Sequence, residues 1–426
     1  MSHLKRIKNL EIIHLGDELL FGLRPNTHLQ YLGQCFSKYG VTLIRDQVIR
    51  DNREEVLDCL GYTWGKADLV ITTGGLGPTV DDMTRQAIAE FFGVELIFNE
   101  SIRQAIEARF KSGGWEMTEN NLRQCYQMPG SEILENPNGT APGLWYERDG
   151  KLLVMLPGPP KELMPMVENQ VIPLLITRGL LQTMEPYVQI RTCGVGESKL
   201  ESKLQPILDQ HPGVDAAYCV HSGVADVRFS SVQPNGHAMA QEVAEQARVL
   251  LGDDFVGYGD FDIAKSIIKY LIENNETISV AESCTGGLIS SAFVDIPGAS
   301  KAYCGGVVTY TDEAKIQSLD LLEAMLQQHG AVSAETAVAM ATAVAEKFST
   351  AYGLSTTGYA GPDGGTEKDP VGTVYIGYHS PQGAWSKRVQ LKGDRQLIRQ
   401  RATLLAIDFV RRKQEEARAA KEKAQH

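Results

Sequence analysis

Cysteine is scarce: seven residues in 426, an odd number with no Cys-x-x-Cys pair. A disulfide framework and a thiol-rich zinc site are thereby excluded. No apolar run approaches the roughly 20 residues that a membrane-spanning helix needs. The first residues, Met1 to Arg6, lack the apolar stretch of a secretion signal. The expected compartment is the cytoplasm, with no membrane partner. Positive charge is also short, 41 Lys and Arg against 53 Asp and Glu, for a net charge of −12. That balance speaks against a broad nucleic-acid surface, where neutralising phosphates dominates binding. A few local arginines can still hold a small anion. Histidine numbers only nine, with none between Tyr258 and Ser300 and only His329, His379 and His426 beyond.

What is present suffices for two or three domains with cores of their own. In residues 1–175, strand and helix patterns alternate. Leu10–Leu15, Val41–Ile49 and Ala67–Thr73 read as strands; Thr27–Lys38 and Asn52–Trp64 read as helices. The pattern predicts a doubly wound, mostly parallel α/β sheet that binds ligands at the C-terminal ends of its strands. Residues 176–257 read as a small α+β domain. It has strands at Tyr187–Cys193, Val214–Val220 and Ala225–Val232 and helices at Glu197–Leu208 and His237–Leu251, a spacer or a dimerisation module. Residues 258–426 return to α/β alternation, and the charged stretch from Arg411 to His426 reads as a solvated helical tail.

Three motifs mark the N-terminal domain. Gly16-Asp17-Glu18 ends the first strand. Thr73-Gly74-Gly75-Leu76-Gly77-Pro78-Thr79-Val80-Asp81-Asp82 joins a strand to a helix. Asn136-Pro137-Asn138-Gly139 is followed by Leu156-Pro157-Gly158. Gly74, Gly75, Gly77, Thr79, Asn138 and Gly139 are candidate phosphate contacts, since glycines let backbone N–H groups approach an anion. Asp17, Asp81 and Asp82 are candidate ligands for a divalent metal, which reconciles carboxylates with a neighbouring phosphate. Helix capping accounts equally well for Asp81 or Asp82 taken singly.

Four loops mark the C-terminal domain. Ala281-Glu282-Ser283-Cys284-Thr285-Gly286-Gly287 joins a strand at Thr277–Val280 to a helix at Leu288–Phe293. Gly305–Lys315 contains Tyr310. Thr356-Thr357-Gly358 leads into Gly361-Pro362-Asp363-Gly364-Gly365. Gly393-Asp394 precedes Arg395 and Arg399. Ser283, Thr285, Gly286 and Gly287 form a candidate anion-binding turn at a helix start, although a capped turn has the same signature. With no histidine in these loops a Ser-His-Asp triad is excluded. Lys315 can serve as base if burial lowers its pKa, with Tyr310 as proton relay. Ser300 and Ser283 are both candidate nucleophiles, and Cys284 is a third, weaker by its expected burial. Thr357 and Gly358 end a strand where they can face a sugar or an amide. Arg395 and Arg399, one helical turn apart, can face one phosphate.

These four loops, in this order, resemble the C-terminal domain of the CinA family of competence/damage-inducible proteins. The N-terminal motifs resemble the molybdenum-cofactor-biosynthesis-like domain of the same family. The resemblance implies nicotinamide mononucleotide (NMN) deamidation at the C-terminal site without a cofactor, and it favours Ser300 as nucleophile with Tyr310 and Lys315. Ala299, often Ser in the family, leaves Ser300 the only hydroxyl of its loop. For the N-terminal domain the resemblance implies metal-dependent hydrolysis of ADP-ribose to AMP and ribose 5-phosphate. His28 stands where the family pattern has Asn. The partners expected are these nucleotides and a second copy in a homodimer, with no direct nucleic-acid contact. Two other readings are a molybdopterin-binding protein with an inert C-terminal domain, and a non-catalytic competence or DNA-damage accessory. The complete C-terminal loops speak against the former.

Overall fold

The computed structural model describes residues 4–181, 187–221, 223–231, 233 and 235–425. The chain divides into two units, Met1–Pro186 and Tyr187–His426.

The first unit runs β1 Asn9–Leu15, α1 Asp17–Leu20, α2 His28–Ser37, β2 Thr42–Ile49, α3 Arg53–Thr63, β3 Leu69–Thr73, α4 Thr84–Phe91, β4 Ile97–Phe98 and α5 Glu100–Ser112. It continues with β5 Tyr126–Gln127, β6 Glu132–Leu134, β7 Gly143–Arg148, β8 Lys151–Leu156, α6 Pro160–Met166 and α7 Ile172–Thr177. Its main sheet has the order β2-β1-β3-β8-β7-β6. The first four strands are parallel, and β7 and β6 are antiparallel. Alternate side chains go to opposite faces. Leu10, Ile12, Leu69 and Ile71 pack with Leu32 and Phe36 of α2. Ile13, Val70, Leu153 and Met155 pack with Val56 and Leu60 of α3 and Ala87 and Ile88 of α4. All five residues of β3 are buried, as a strand covered on both faces requires. This is the doubly wound α/β sheet expected.

The second unit opens with β9 Val188–Cys193, α8 Glu197–Gln210, β10 Asp215–His221, β11 Val224–Ser230, α9 Gly236–Leu251 and β12 Phe255–Tyr258. These make an antiparallel sheet of order β10-β11-β9-β12. Val232, assigned above to the third strand, lies outside the described residues. Then come α10 Ile263–Glu273, β13 Ile278–Glu282, α11 Leu288–Val294, β14 Tyr303–Val308, α12 Asp312–Leu319, α13 Glu323–His329 and α14 Ala334–Phe348. β15 Tyr352–Gly358, β16 Thr373–Ser380, β17 Gly383–Gln390 and α15 Arg395–Gln425 complete the chain. The five-stranded sheet has the order β14-β13-β15-β16-β17. Its first three strands are parallel and the last two antiparallel.

The helix α15 corrects the expectation of a solvated tail from Arg411. Arg411 and Gln414 are buried. The Arg411 guanidinium donates to the carbonyls of Asp253 and Phe255, and Arg412 donates to that of Cys193. Both arginines pair with Asp408, which is wholly buried. These cations satisfy carbonyls at the end of the antiparallel sheet, a use that composition alone does not reveal.

Candidate active sites

In the second unit, β13 lies between β14 and β15, and all three are parallel, so their C-terminal ends meet. Ser283 follows β13 and its N–H donates to Thr356 O at 3.0 Å. Thr309 follows β14 and its N–H donates to Glu282 O at 2.8 Å. The strand order reverses about this point, the place where open α/β sheets bind ligands.

The turn after β13 is not the free anion site expected. The buried Glu282 carboxylate accepts from the N–H groups of Gly287, Ile289 and Ser290 at 2.8–3.1 Å. The helix start is therefore occupied by a carboxylate of the chain itself, a local cap that fits the helix dipole. Thr285 is buried and shares a hydrogen bond with Thr356, 2.7 Å between hydroxyls. Thr357 is likewise buried, its hydroxyl donating to Ala331 O at 2.6 Å. At Gly358 an added Cβ would stand 2.5 Å from Thr373 O, so that glycine serves close strand approach. Gly286 N donates to Ser283 O at 3.2 Å, closing the turn. Ser283 is left with a hydroxyl that makes no hydrogen bond among the described residues.

Lys315 is 2 % exposed. Its Nζ donates to Thr309 O at 3.2 Å and Thr311 O at 3.5 Å, and lies 3.8 Å from Asp312. Burial lowers its pKa below the ordinary lysine value, and Asp312 opposes that shift in part. Thr309, whose carbonyl Lys315 reaches, donates its own N–H to the carbonyl of Glu282, the residue before Ser283. The Cys284 thiol is pushed up to about 12 by burial, so it stays protonated and is no nucleophile. Tyr310 is exposed, and its hydroxyl accepts from Arg395 Nη2 at 2.7 Å. Arg395 Nη1 donates to Gly361 O at 2.6 Å.

Ser300 is not in this group. It lies in the 3-10 turn Ala299–Lys301, ahead of β14, where Ala302 O accepts from Ile278 N at the start of β13. Tyr310 and Lys315 follow the other end of β14. Six residues of strand, at about 3.3 Å each, hold Ser300 about 20 Å from them. Within one chain Ser300 thus lies at the opposite end of β14 from Tyr310 and Lys315, and Ser283 is the serine at their end of the sheet. Arg399 also changes role. Its guanidinium donates to Cys284 O at 3.1 Å and Thr285 O at 2.8 Å, so it braces the turn, whereas Arg395 stays exposed at the helix start.

In the first unit, a cleft of about 590 Å³ opens at the C-terminal ends of β1, β3 and β8. Gly74, Gly75, Gly77, Asn138 and Gly139 line it, as do Asp81 and Asp82. Thr79 does not; its N–H and hydroxyl donate to Asp82 at 2.9 and 2.5 Å. Asp17 does not line the cleft either, while its neighbour Glu18 and Asp51 do. Asp51 escaped the sequence reading because it follows β2 outside any glycine motif. Burial, helped by the charges of Glu18, Asp17 and Asp82, pushes its carboxyl up to about 6, against a hydrogen bond from the Asp17 backbone. Among the described residues no three His, Cys, Asp or Glu side chains stand close enough to hold a metal ion. The set Asp17, Asp81 and Asp82 is thus not assembled into a metal centre.

A second group missed in the sequence is His14, wholly buried at the end of β1. Its Nε2 lies 2.6 Å from Asp46 and its Nδ1 2.8 Å from the Thr73 hydroxyl. His28 packs on it at 5.7 Å between rings. Burial and the neighbouring His14 lower the His28 pKa to about 4, so its ring is neutral at physiological pH. A histidine here keeps the start of α2 uncharged, as asparagine would.

Fold and sites together define a multidomain α/β protein with a glycine-loop cleft in one unit and a serine–lysine group in the other. The chain belongs to the CinA family. Residues 11–177 match the probable molybdopterin binding domain, 189–257 the damage-inducible protein CinA KH domain, and 260–414 the CinA C-terminal domain. A CinA-like protein of Dictyoglomus thermophilum is 39% identical over 94% of this chain and 98% of its own length. A putative competence-damage inducible protein of Caldanaerobacter subterraneus is 41% identical over 94% and 97%. A crystal structure of a CinA protein from Thermoplasma acidophilum, 32% identical, covers 39% of this chain and 99% of its own, with a TM-score of 0.37. Residues 187–257 contain no Gly-x-x-Gly, the loop by which KH modules clamp a nucleic-acid backbone. No helix among the described residues is long and apolar enough to cross a membrane.

Proposed function

We propose that the C-terminal domain is an amidohydrolase that converts NMN and water to nicotinic acid mononucleotide and ammonia. The observation that carries this reading is the buried Lys315 and the unbonded hydroxyl of Ser283 at the same end of the sheet. Neutral Lys315 takes the Ser283 proton, with Tyr310 as relay, and Ser283 Oγ attacks the carboxamide carbon. The C–N bond breaks as the nitrogen receives that proton and leaves as ammonia. Water then cleaves the acyl ester and restores the serine. Arg395 serves the substrate phosphate, a charge-assisted contact that suits an exposed guanidinium. The test is ammonia release from NMN by the purified chain with no ATP added; no release under any condition that keeps the chain folded refutes the reading.

For the N-terminal unit we propose hydrolysis of ADP-ribose to AMP and ribose 5-phosphate in the glycine-loop cleft. A divalent ion would enter with the phosphates. Magnesium is commonly held by one or two carboxylates together with substrate phosphates, without a protein-built cage. Asp51 and Glu18, which line the cleft, are the carboxylates that would meet it. The glycine loop and the carboxylates of Glu18, Asp51 and Asp82 along the cleft support this reading.

A further inference from the structure

The loop Gly74–Gly77 carries three carbonyls that are each tied back toward α4. Gly74 O accepts from the Thr84 hydroxyl at 3.0 Å and Gly75 O from Thr84 N at 3.2 Å. Leu76 O accepts from Arg85 Nη2 at 2.9 Å. In a trans peptide the following N–H points opposite to the carbonyl. Those amides belong to Gly75, Leu76 and Gly77. All three residues line the cleft, and none of the three N–H groups has an acceptor among the described residues. The geometry of Gly75 is tuned to this: φ is +64°, and a Cβ would stand 2.0 Å from Thr84 Oγ1.

Arg85 is the unusual member. It is 2 % exposed and forms no ion pair among the described residues. Its second nitrogen, Nη1, donates to Arg123 O at 3.0 Å, and its Nε is buried without a partner. Arg123 in turn donates to Thr79 O at 3.1 Å, extending the brace along the loop. The Asp82 carboxylate on the cleft wall favours the charged guanidinium, but with no direct ion pair its burial remains costly. Behind a row of outward N–H groups it adds positive charge beside the loop.

We propose that Arg85 is a positioning residue that fixes the Leu76–Gly77 peptide and, beside Thr84 on the two preceding carbonyls, completes Gly75, Leu76 and Gly77 as a preformed receptor for the phosphoanhydride of an anionic ligand. The proposal rests on reading this cleft as a phosphate site. It differs from a packing role in requiring both arms of the guanidinium, one on Leu76 O and one on Arg123 O. Magnesium pyrophosphate is the probe, titrated calorimetrically into the full chain, with the unfolding midpoint of each variant recorded. Arg85→Met is expected to weaken binding at least tenfold. Arg85→Lys, which keeps the charge but not the fork, is expected to lie between that and the wild type. Wild-type affinity in a folded Arg85→Met variant overturns the proposal. If that variant does not fold, wild-type affinity in Arg85→Lys overturns it instead. Failure of the unaltered chain to bind pyrophosphate overturns the phosphate reading itself, and the proposal with it.

Discussion

Lys315 shows how far a residue's chemistry depends on its surroundings. Its base form must be neutral, and burial makes that form available at lower pH than in an exposed lysine. We expect kcat/KM for NMN to rise with pH and level off below the ordinary lysine range, and Lys315→Arg to abolish the rise together with the activity. A profile that still climbs where free lysine titrates would contradict the role. Asp51 gives a stability test of opposite character. Its carboxyl is raised from 3.8 to about 6 in the folded chain. The folded state therefore binds a proton that the unfolded state has released, and stability falls as pH rises through that interval. Asp51→Asn should raise the melting temperature above pH 6 and leave it unchanged below 3.8, the two ends of that interval. A gap independent of pH would sink the assignment. The loops that carry Lys315, Tyr310 and Arg395 were legible in the sequence because glycines and hydroxyls mark the breaks between strand and helix. The place of Ser300 was not, for a physical reason: a serine near a motif in the chain can sit at the opposite end of a strand.

Among elements, α15 carries the most that sequence left unread. Its first turn carries Arg395, which donates to Gly361 O and the Tyr310 hydroxyl, and Arg399, which braces the turn after β13. Its later turns place Asp408 between Arg411 and Arg412, with both side chains on carbonyls of the antiparallel sheet. Removing the carboxylate leaves two guanidinium groups short of a partner in a buried setting. Asp408→Ala is expected to cost about 3 kcal/mol of stability, the scale for breaking a buried pair, and to leave KM for NMN unchanged. Chemical denaturation checks the first part; a loss below 1 kcal/mol, the range of an exposed pair, would place the network at the surface. Of the strands of the first unit, β1, β2 and β3 were readable, β1 and β3 as apolar runs that end in glycine turns, whereas β4 to β8 went unread. Glu282 was not readable, because a carboxylate in a strand end looks solvated until the helix it caps is seen.

At the scale of the whole molecule, the two sites lie in separate units with no residue in common, so their responses should be independent to first order. Chelation with EDTA should stop ADP-ribose hydrolysis and leave ammonia release from NMN intact; equal loss of both would refute the separation. The acidic balance of the chain would suit the proposed anionic substrates only where cations and amides are gathered locally, as Arg395 and the Gly74–Gly77 loop are. The central claim is that catalysis sits where β13, β14 and β15 end, with Ser283 as nucleophile. It is tested most directly by single-turnover ammonia release from NMN in Ser283→Ala and Ser300→Ala side by side. The expected result is a loss of at least about 10²-fold in Ser283→Ala and near-normal release in Ser300→Ala. The reverse pattern would contradict the site as described.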